Sequence, residues 1–138
     1  MTNKEVVRSF YEAAYNQKDY KLALGFLTPT YFNHSPAIAS SSEDAIDTIK
    51  QVHLAFSNLR VEVLELIEED DLIAGQFLFT GIQKKEYLGV PATNAEISWE
   101  AVEIFRINAG GKIIESWGYW PDSQIQKSLL VNVKHQRG

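Results

Sequence analysis

Near Asn58 the spacing of apolar residues changes, and this constrains the fold more than any other feature of the chain. Before that point apolar side chains recur every three or four residues. Val6, Val7, Phe10, Ala13 and Ala14 make one such stripe, and Ala45, Ile46, Ile49, Val52 and Phe56 make another. That is the period of helices with one buried face. After it, Leu59, Val61, Val63, Glu65 and Ile67 alternate with Arg60, Glu62, Leu64, Leu66 and Glu68, and the chain reads as strands as far as Tyr119. Helices gathered before strands predict an α+β domain.

Local signals place the elements. Thr2 or Asn3 caps the first helix, and Asn16 to Lys18 breaks it. Asp19 caps a second, short helix that buries Leu22, Ala23, Phe26 and Leu27, and Pro29 ends it. Tyr31 to His34 reads as a short strand, and Ser42 caps a third helix reaching about Phe56. Four long antiparallel strands follow, among them Leu72 to Gln83, Ala95 to Asn108 and Lys112 to Tyr119. Glu69-Asp70-Asp71 and Ala109-Gly110-Gly111 are turns, and Lys84 to Asn94 is a loop. A strongly curved sheet wrapped around packed helices leaves a concave space, the kind of place where small molecules bind. One domain spans residues 1–138, with its core over about 3–130 and a polar C-terminal tail at 131–138.

Composition removes several classes of function. The 138 residues carry a net charge of −5, and the basic residues are scattered apart from Lys84-Lys85, so no nucleic-acid footprint is present. With 0 cysteines, disulfides, thiolate metal sites and cysteine nucleophiles are excluded. No metal-ligand spacing or glycine-rich phosphate loop is found, so no cofactor is expected. The amphipathic N-terminus lacks the apolar stretch of a signal peptide, and no apolar run approaches the roughly 20 residues that span a bilayer. A soluble cytoplasmic protein is expected, without membrane partners.

Six pieces of sequence carry a resemblance. They are Tyr31-x-x-His34-x-Pro36, His53-x-x-Phe56-x-x-Leu59-Arg60, Thr80-Gly81, Tyr87-Leu88-Gly89-Val90-Pro91-Ala92-Thr93, Glu103-Ile104-Phe105-Arg106, and Gly111-Lys112-Ile113-Ile114-Glu115-x-Trp117. In this order and spacing the chain resembles the SnoaL-like polyketide cyclases, within the nuclear transport factor 2-like fold that also includes ketosteroid isomerases. The likeness runs from the first helix to about Leu129. It implies a cone-shaped molecule, its antiparallel or mixed sheet wrapped around three N-terminal helices. It also implies a small hydrophobic carbonyl-containing ligand, cofactor-free ring closure, and a homodimer paired through the convex sheet face, where Trp99, Val102 and Ile104 would be buried. Related cyclases carry their acid four residues after the tryptophan matching Trp117. Here that position is Pro121, and the carboxylate stands one place later, at Asp122. A histidine common two residues after Gly81 is replaced by Gln83.

The catalytic candidates are Asp122, His34 and Gln83. Asp122 in an aromatic pocket would take a proton α to a carbonyl; its other reading is a cap on a terminal helix over Gln124 to Leu130. His34 either polarises a carbonyl at the pocket mouth or bonds to backbone in a loop. Gln83 either donates to a ligand oxygen or ends a strand in solvent. Substrate-binding candidates are Tyr31, His53, Phe56, Phe79, Tyr87, Trp117 and Tyr119, with His53 equally readable as a core histidine. Strand parity with the family's acid turns Trp117 and Tyr119 inward and Trp120 outward. Glu103 and Glu115 either share a proton or are edge charges paired with Arg106 or Lys112. His135 is expected in solvent, and Gly89 to Pro91 reads as a lid covered by Tyr87 and Leu88. The function is then a cyclase or isomerase, or else a binding or structural module whose cavity has lost its acid.

Overall fold

The computed structural model describes residues 1–34 and 39–137, with side chains as far as residue 133. The chain runs α1 (Asn3–Tyr11), a π-helical turn (Glu12–Asn16), α2 (Tyr20–Leu24), β1 (Leu27–Asn33), α3 (Ser42–Ala55) and β2 (Phe56–Glu69). It continues through β3 (Leu72–Gln83), β4 (Glu96–Ile107), β5 (Ile113–Tyr119) and α4 (Asp122–Arg137). The strands make one open mixed sheet of order β1-β5-β4-β3-β2. β1 runs parallel to β5, and every other neighbouring pair is antiparallel. This is the expected α+β arrangement.

Short-range hydrogen bonds set the helix starts. Thr2 Oγ1 accepts from the Glu5 amide at 3.1 Å while the Glu5 carboxylate accepts from the Thr2 amide at 3.2 Å, a reciprocal cap. Asp19 accepts from the Leu22 amide, as expected. Ser41 rather than Ser42 caps α3, accepting from the Asp44 amide. Pro29 does not end α2, which stops at Leu24; it lies inside β1. β1 is an edge strand, where a residue without an amide hydrogen is tolerated.

The first helix ends by widening. The Gln17 amide reaches back to the Glu12 carbonyl at 2.9 Å and the Asp19 amide to that of Ala13 at 2.8 Å. The widened turn delivers Asn16 to the outer strand β2. There Asn16 Oδ1 accepts from the Val61 amide at 2.8 Å and Nδ2 donates to the Val61 carbonyl at 3.0 Å. A side-chain amide thus does for an open strand edge what a further strand would do.

Register assigns the two faces. Val61, Phe79 and Trp99 form one inward row; Val63, Phe77 and Ala101 a second; Leu66, Gly75, Glu103 and Gly118 a third. These rows pack on Val7, Phe10, Tyr11 and Ala14 of the first helix and on Ile46 and Ile49 of α3. A Cβ on Gly75 would stand 2.4 Å from the Phe77 ring, so only glycine allows Phe77 to lie flat on Tyr11, with centroids 3.9 Å apart. The strict alternation expected of β2 fails at Leu64. A bulge between Val63 and Glu65 turns Leu66 inward and leaves Ile67 62% exposed. On the outer face Ile67, Ala74, Ile104 and Trp117 make one row and Gln76, Val102 and Tyr119 the next.

After Tyr119 the chain turns into α4, which buries Ile125 and Leu129. Residues 131–137, expected as a tail, continue this helix; the His135 side chain and Pro36 lie outside the described residues. Replacing Asn16 with alanine should cost about 1–3 kcal/mol, since it strips both bonds from Val61 and leaves that amide unsatisfied. Urea unfolding checks this: the midpoint should fall with the slope unchanged.

Candidate functional site

A cavity of about 170 Å³ lies between the inward sheet face and the helices. Phe10, Tyr11 and Tyr15 line it from the first helix and its widened end, and Ile49 and Val52 from α3. Tyr31 and Asn33 contribute from β1, Glu103 and Gly118 from the sheet, and Trp120 and Asp122 from the β5–α4 junction.

Glu103 is its most unusual wall residue. Its register neighbours on β3 and β5 are Gly75 and Gly118, so no side chain stands beside it in its row. Trp120 Nε1 donates to Glu103 Oε1 at 3.0 Å, and the Tyr11 hydroxyl is within hydrogen-bonding reach. The carboxyl is enclosed by protein, and Glu103 as a whole is half-buried in the cavity wall. Burial raises its pKa, and the bonds from Trp120 and Tyr11 offset only part of that rise.

Phenols surround this carboxyl. Burial, with Glu103 as a second cause, holds the Tyr11 and Tyr15 hydroxyls well above the ordinary phenol value. Tyr31 is raised by the same first cause and bonds its hydroxyl to Ser116 Oγ. The Tyr15 hydroxyl makes no hydrogen bond to a described residue. Tyr87 and the exposed Asp122 stand where the cavity meets solvent. Burial first, and the Asp122 charge second, push Tyr87 up to about 12.

Of the residues expected at the site, Asp122, Tyr31 and Tyr87 line the cavity. His34 and Trp117 do not; they lie on the outer face. Their rings stack at 4.8 Å and 7°, and His34 Nε2 contacts Glu115 Oε2 at 2.9 Å. Glu115 Oε1 accepts from Arg106 Nε, whose guanidinium also reaches both Asp71 oxygens, each at 2.9 Å. The His34 bond, then Arg106, hold the Glu115 carboxyl below its usual range. Glu115 therefore pairs with Arg106, on the face opposite Glu103, and the two glutamates share no proton.

Parity on β5 is the reverse of that expected. Ser116 and Gly118 oppose Phe105 and Glu103 and point inward with Trp120, while Tyr119 opposes Val102 and is 63% exposed. Trp99 is buried inside against Phe79 and Trp120, not on the outer face with Val102 and Ile104. Phe56 and Phe79 are fully buried and form a layer behind the cavity wall, packed on Tyr87 and Trp120 respectively. His53 is half-buried beside the first helix and does not line the cavity. Its Nε2 contacts the Ala14 carbonyl at 2.9 Å, its Nδ1 is buried without a partner, and burial lowers its pKa. Gln83 is neither exposed nor part of the cavity wall, and its amide is fully engaged within the protein. Among the described residues no group of three or more side chains could hold a metal ion, and no helix is long and apolar enough to cross a membrane.

The family model for SnoaL-like polyketide cyclases matches residues 5–129. The chain belongs to that family. Solved structures agree on the fold. TsrD from Streptomyces laurentii is 24% identical, with 91% of this chain and 92% of its own aligned at a TM-score of 0.82. A candidate SnoaL-like polyketide cyclase from a Jannaschia species is 21% identical over 92% and 90% of the two chains, with the same TM-score of 0.82. IdmH, a candidate polyketide cyclase from Streptomyces antibioticus, is 18% identical over 97% and 99%, at 0.81. No curated protein matches the chain in sequence.

Within this SnoaL-like fold, Tyr11, Tyr15, Glu103 and Trp120 escaped prediction as site residues. Tyr11 and Tyr15, four apart, extend the apolar stripe of the first helix, and Glu103 lies between the inward Ala101 and Phe105 at strand spacing. Each was visible as an inward polar group on an apolar face. The raised pKa of Glu103 means that folding favours its protonated form. Its contribution to stability is complete below the ordinary carboxylate value and is lost as pH rises through the raised one. Glu103→Gln should therefore gain melting temperature relative to the parent between about pH 5 and pH 8. A difference that stays constant across that range would contradict the assignment.

Proposed function

We propose that the chain is a cofactor-independent cyclase or isomerase that takes a proton α to a carbonyl of a hydrophobic, polyketide- or steroid-like compound. One observation carries the reading: two carboxyls face one aromatic cavity from different environments, Glu103 enclosed among phenols and Asp122 exposed at the rim. Paired acids whose surroundings differ in this way divide acid from base work. Asp122 is the base. As the C–H bond breaks, its electrons move to the carbonyl oxygen, which becomes an enolate. Protonated Glu103 donates a hydrogen bond to that oxygen while accepting from Trp120 and Tyr11, and Tyr15 supplies a further donor. The enolate carbon then attacks a second carbonyl, whose π electrons pass to its oxygen as the ring closes, and the proton held by Asp122 goes to that alkoxide; in an isomerisation Asp122 instead returns the proton to a different carbon.

Deuterium uptake into 2-tetralone in heavy water, followed by NMR, tests the proton-transfer step without knowledge of the natural substrate. The protein should accelerate uptake, and Asp122→Asn should reduce the acceleration by about 100-fold or more. Glu103→Gln should have a smaller effect, because an amide still donates. Unchanged uptake in Asp122→Asn would sink the mechanism. Pro121 at the family's acid position favours a second reading, a binding module without turnover. That reading predicts that 2-tetralone binds and shows no protein-dependent uptake.

The same family reading supports a homodimer through the outer sheet face, where Val102 is 43% and Tyr119 63% exposed beside Ile104 and Trp117. Light scattering at micromolar concentration should give twice the chain mass, and Val102→Glu should give one. A monomeric parent would remove this proposal.

A further inference from the structure

One buried amide ties the two ends and the middle of the loop between β3 and β4 together. Gln83 Nε2 donates to the Lys85 carbonyl at 3.0 Å and to that of Val90 at 2.9 Å. Its Oε1 accepts from the Thr93 amide at 3.0 Å and from Thr93 Oγ1 at 2.8 Å. Two donors and two acceptor positions are all used, and Gln83 and Thr93 are both buried. No other side chain of this shape offers donors and acceptors together. Glutamate would set a carboxylate against two carbonyls, and leucine would make none of the bonds.

What the amide holds is a strained turn. Tyr87 and Val90 bond to each other in both directions, at 3.0 and 2.9 Å. The two residues between them, Leu88 at φ 51° and Gly89 at φ 77°, are both left-handed. Glycine adopts that conformation freely, but a leucine does so only when its surroundings require it. The requirement comes from both sides. Gln83 grips Val90, and Gln126 of α4 donates to the Leu88 carbonyl at 2.9 Å. The turn is therefore tied both to the end of β3 and to the helix that begins with Asp122. Tyr87, the first residue of the turn, rests its ring against Phe56 at 5.0 Å and shares the cavity wall with Asp122.

We infer that Gln83 is a positioning residue for the cavity mouth: its amide holds the 84–94 loop so that Tyr87 covers the opening that Asp122 lines, and it thereby sets how fast ligand enters and leaves. The inference rests on the reading of the cavity as a ligand site. It also gives Gln83 a role at the site that needs no contact with ligand.

The test uses the full chain, 2-naphthol as a fluorescent aromatic probe, and Gln83→Leu. Stopped-flow dissociation of 2-naphthol should quicken by about tenfold in Gln83→Leu, and amide exchange at Val90 and Thr93 should quicken by a similar factor. The amides of Phe77 and Ala101, in the sheet behind the cavity, should keep their parent rates. Should Gln83→Leu fail to fold, Thr93→Val removes the hydroxyl's bond to Gln83 Oε1 and the one it accepts from the Ala95 amide, keeps the other three bonds of Gln83, and carries the same test with a smaller effect, about threefold. Loosened loop amides with unaltered probe kinetics overturn the inference, as do loop amides that do not change. If the parent protein binds no 2-naphthol, the ligand-site reading falls and the inference with it. Binding with unaltered kinetics in the variant overturns the inference alone.

Discussion

A carboxyl enclosed in an aromatic wall is expensive unless it is neutral or paired, and Glu103 has no cation among the described residues that line its cavity. Its surroundings settle it in two ways. Burial favours the protonated form, and Trp120 and Tyr11 supply hydrogen bonds that a carboxyl of either charge accepts. Much of the local structure follows from that arrangement. The Trp120 indole must turn inward to reach Glu103, which places the chain's exit from β5 over the cavity. Glycines on either side of Glu103 keep its row of the sheet low, and the room beside Gly118 is part of the cavity. On the β3 side the Phe77 ring fills that room and bears on Tyr11, which in turn reaches Glu103.

Polar residues divide according to whether the protein already answers them. Gln83, His34 and His53 each looked capable of chemistry, and each is engaged within the fold: Gln83 through every position of its amide, His34 on Glu115, and His53 by Nε2 alone, at the Ala14 carbonyl, with Nδ1 left without a partner. Buried polar groups find partners because leaving one unsatisfied costs about 1–3 kcal/mol. A group with its bonding capacity used up has little left for a ligand. Glu103 and Tyr15 differ because they face open volume. The Glu115–Arg106–Asp71 chain, by contrast, is exposed and screened, so it orients the outer face more than it holds the fold together.

The switch of hydrophobic period near Asn58 was enough to divide helices from strands, and β3 was legible to the residue because its apolar run is nearly unbroken between two polar turns. Short-range chemistry was legible too, as at Thr2 and Asp19. Faces were less so. Period two says that alternate residues share a side, but not which side, and one bulge at Leu64 reverses the answer for Ile67. On β5 the assignment rested on the family's acid, and the strand turned the other way because Ser116 and Gly118 are the residues small enough to lie beneath Tyr31 and Glu103. Gln83 was misread for a related reason. Its partners, Val90 and Thr93, are close in sequence, but whether a loop folds back over its own strand end depends on a left-handed residue at Leu88, which no sequence signal marks, as well as on Asn94, a residue type that favours that conformation.

The placing of Asp122 at the cavity rim follows from the same geometry. Strand parity governs residues only while the chain stays in the sheet, and β5 ends at Tyr119. Beyond it Pro121 cannot continue a ladder that needs its amide, but its carbonyl accepts from the Ile125 amide at 2.9 Å and so begins α4. Asp122 is then directed by a helical turn rather than by a pleat, and it reaches the cavity rim from a position that parity alone would leave uncertain. Asp122 therefore stands exposed at the rim, whereas Glu103, beneath the indole of Trp120, is enclosed and held towards its neutral form. The junction that puts a proline at position 121 thus leaves the cavity with two carboxyls in different surroundings, one open to solvent and one closed off from it.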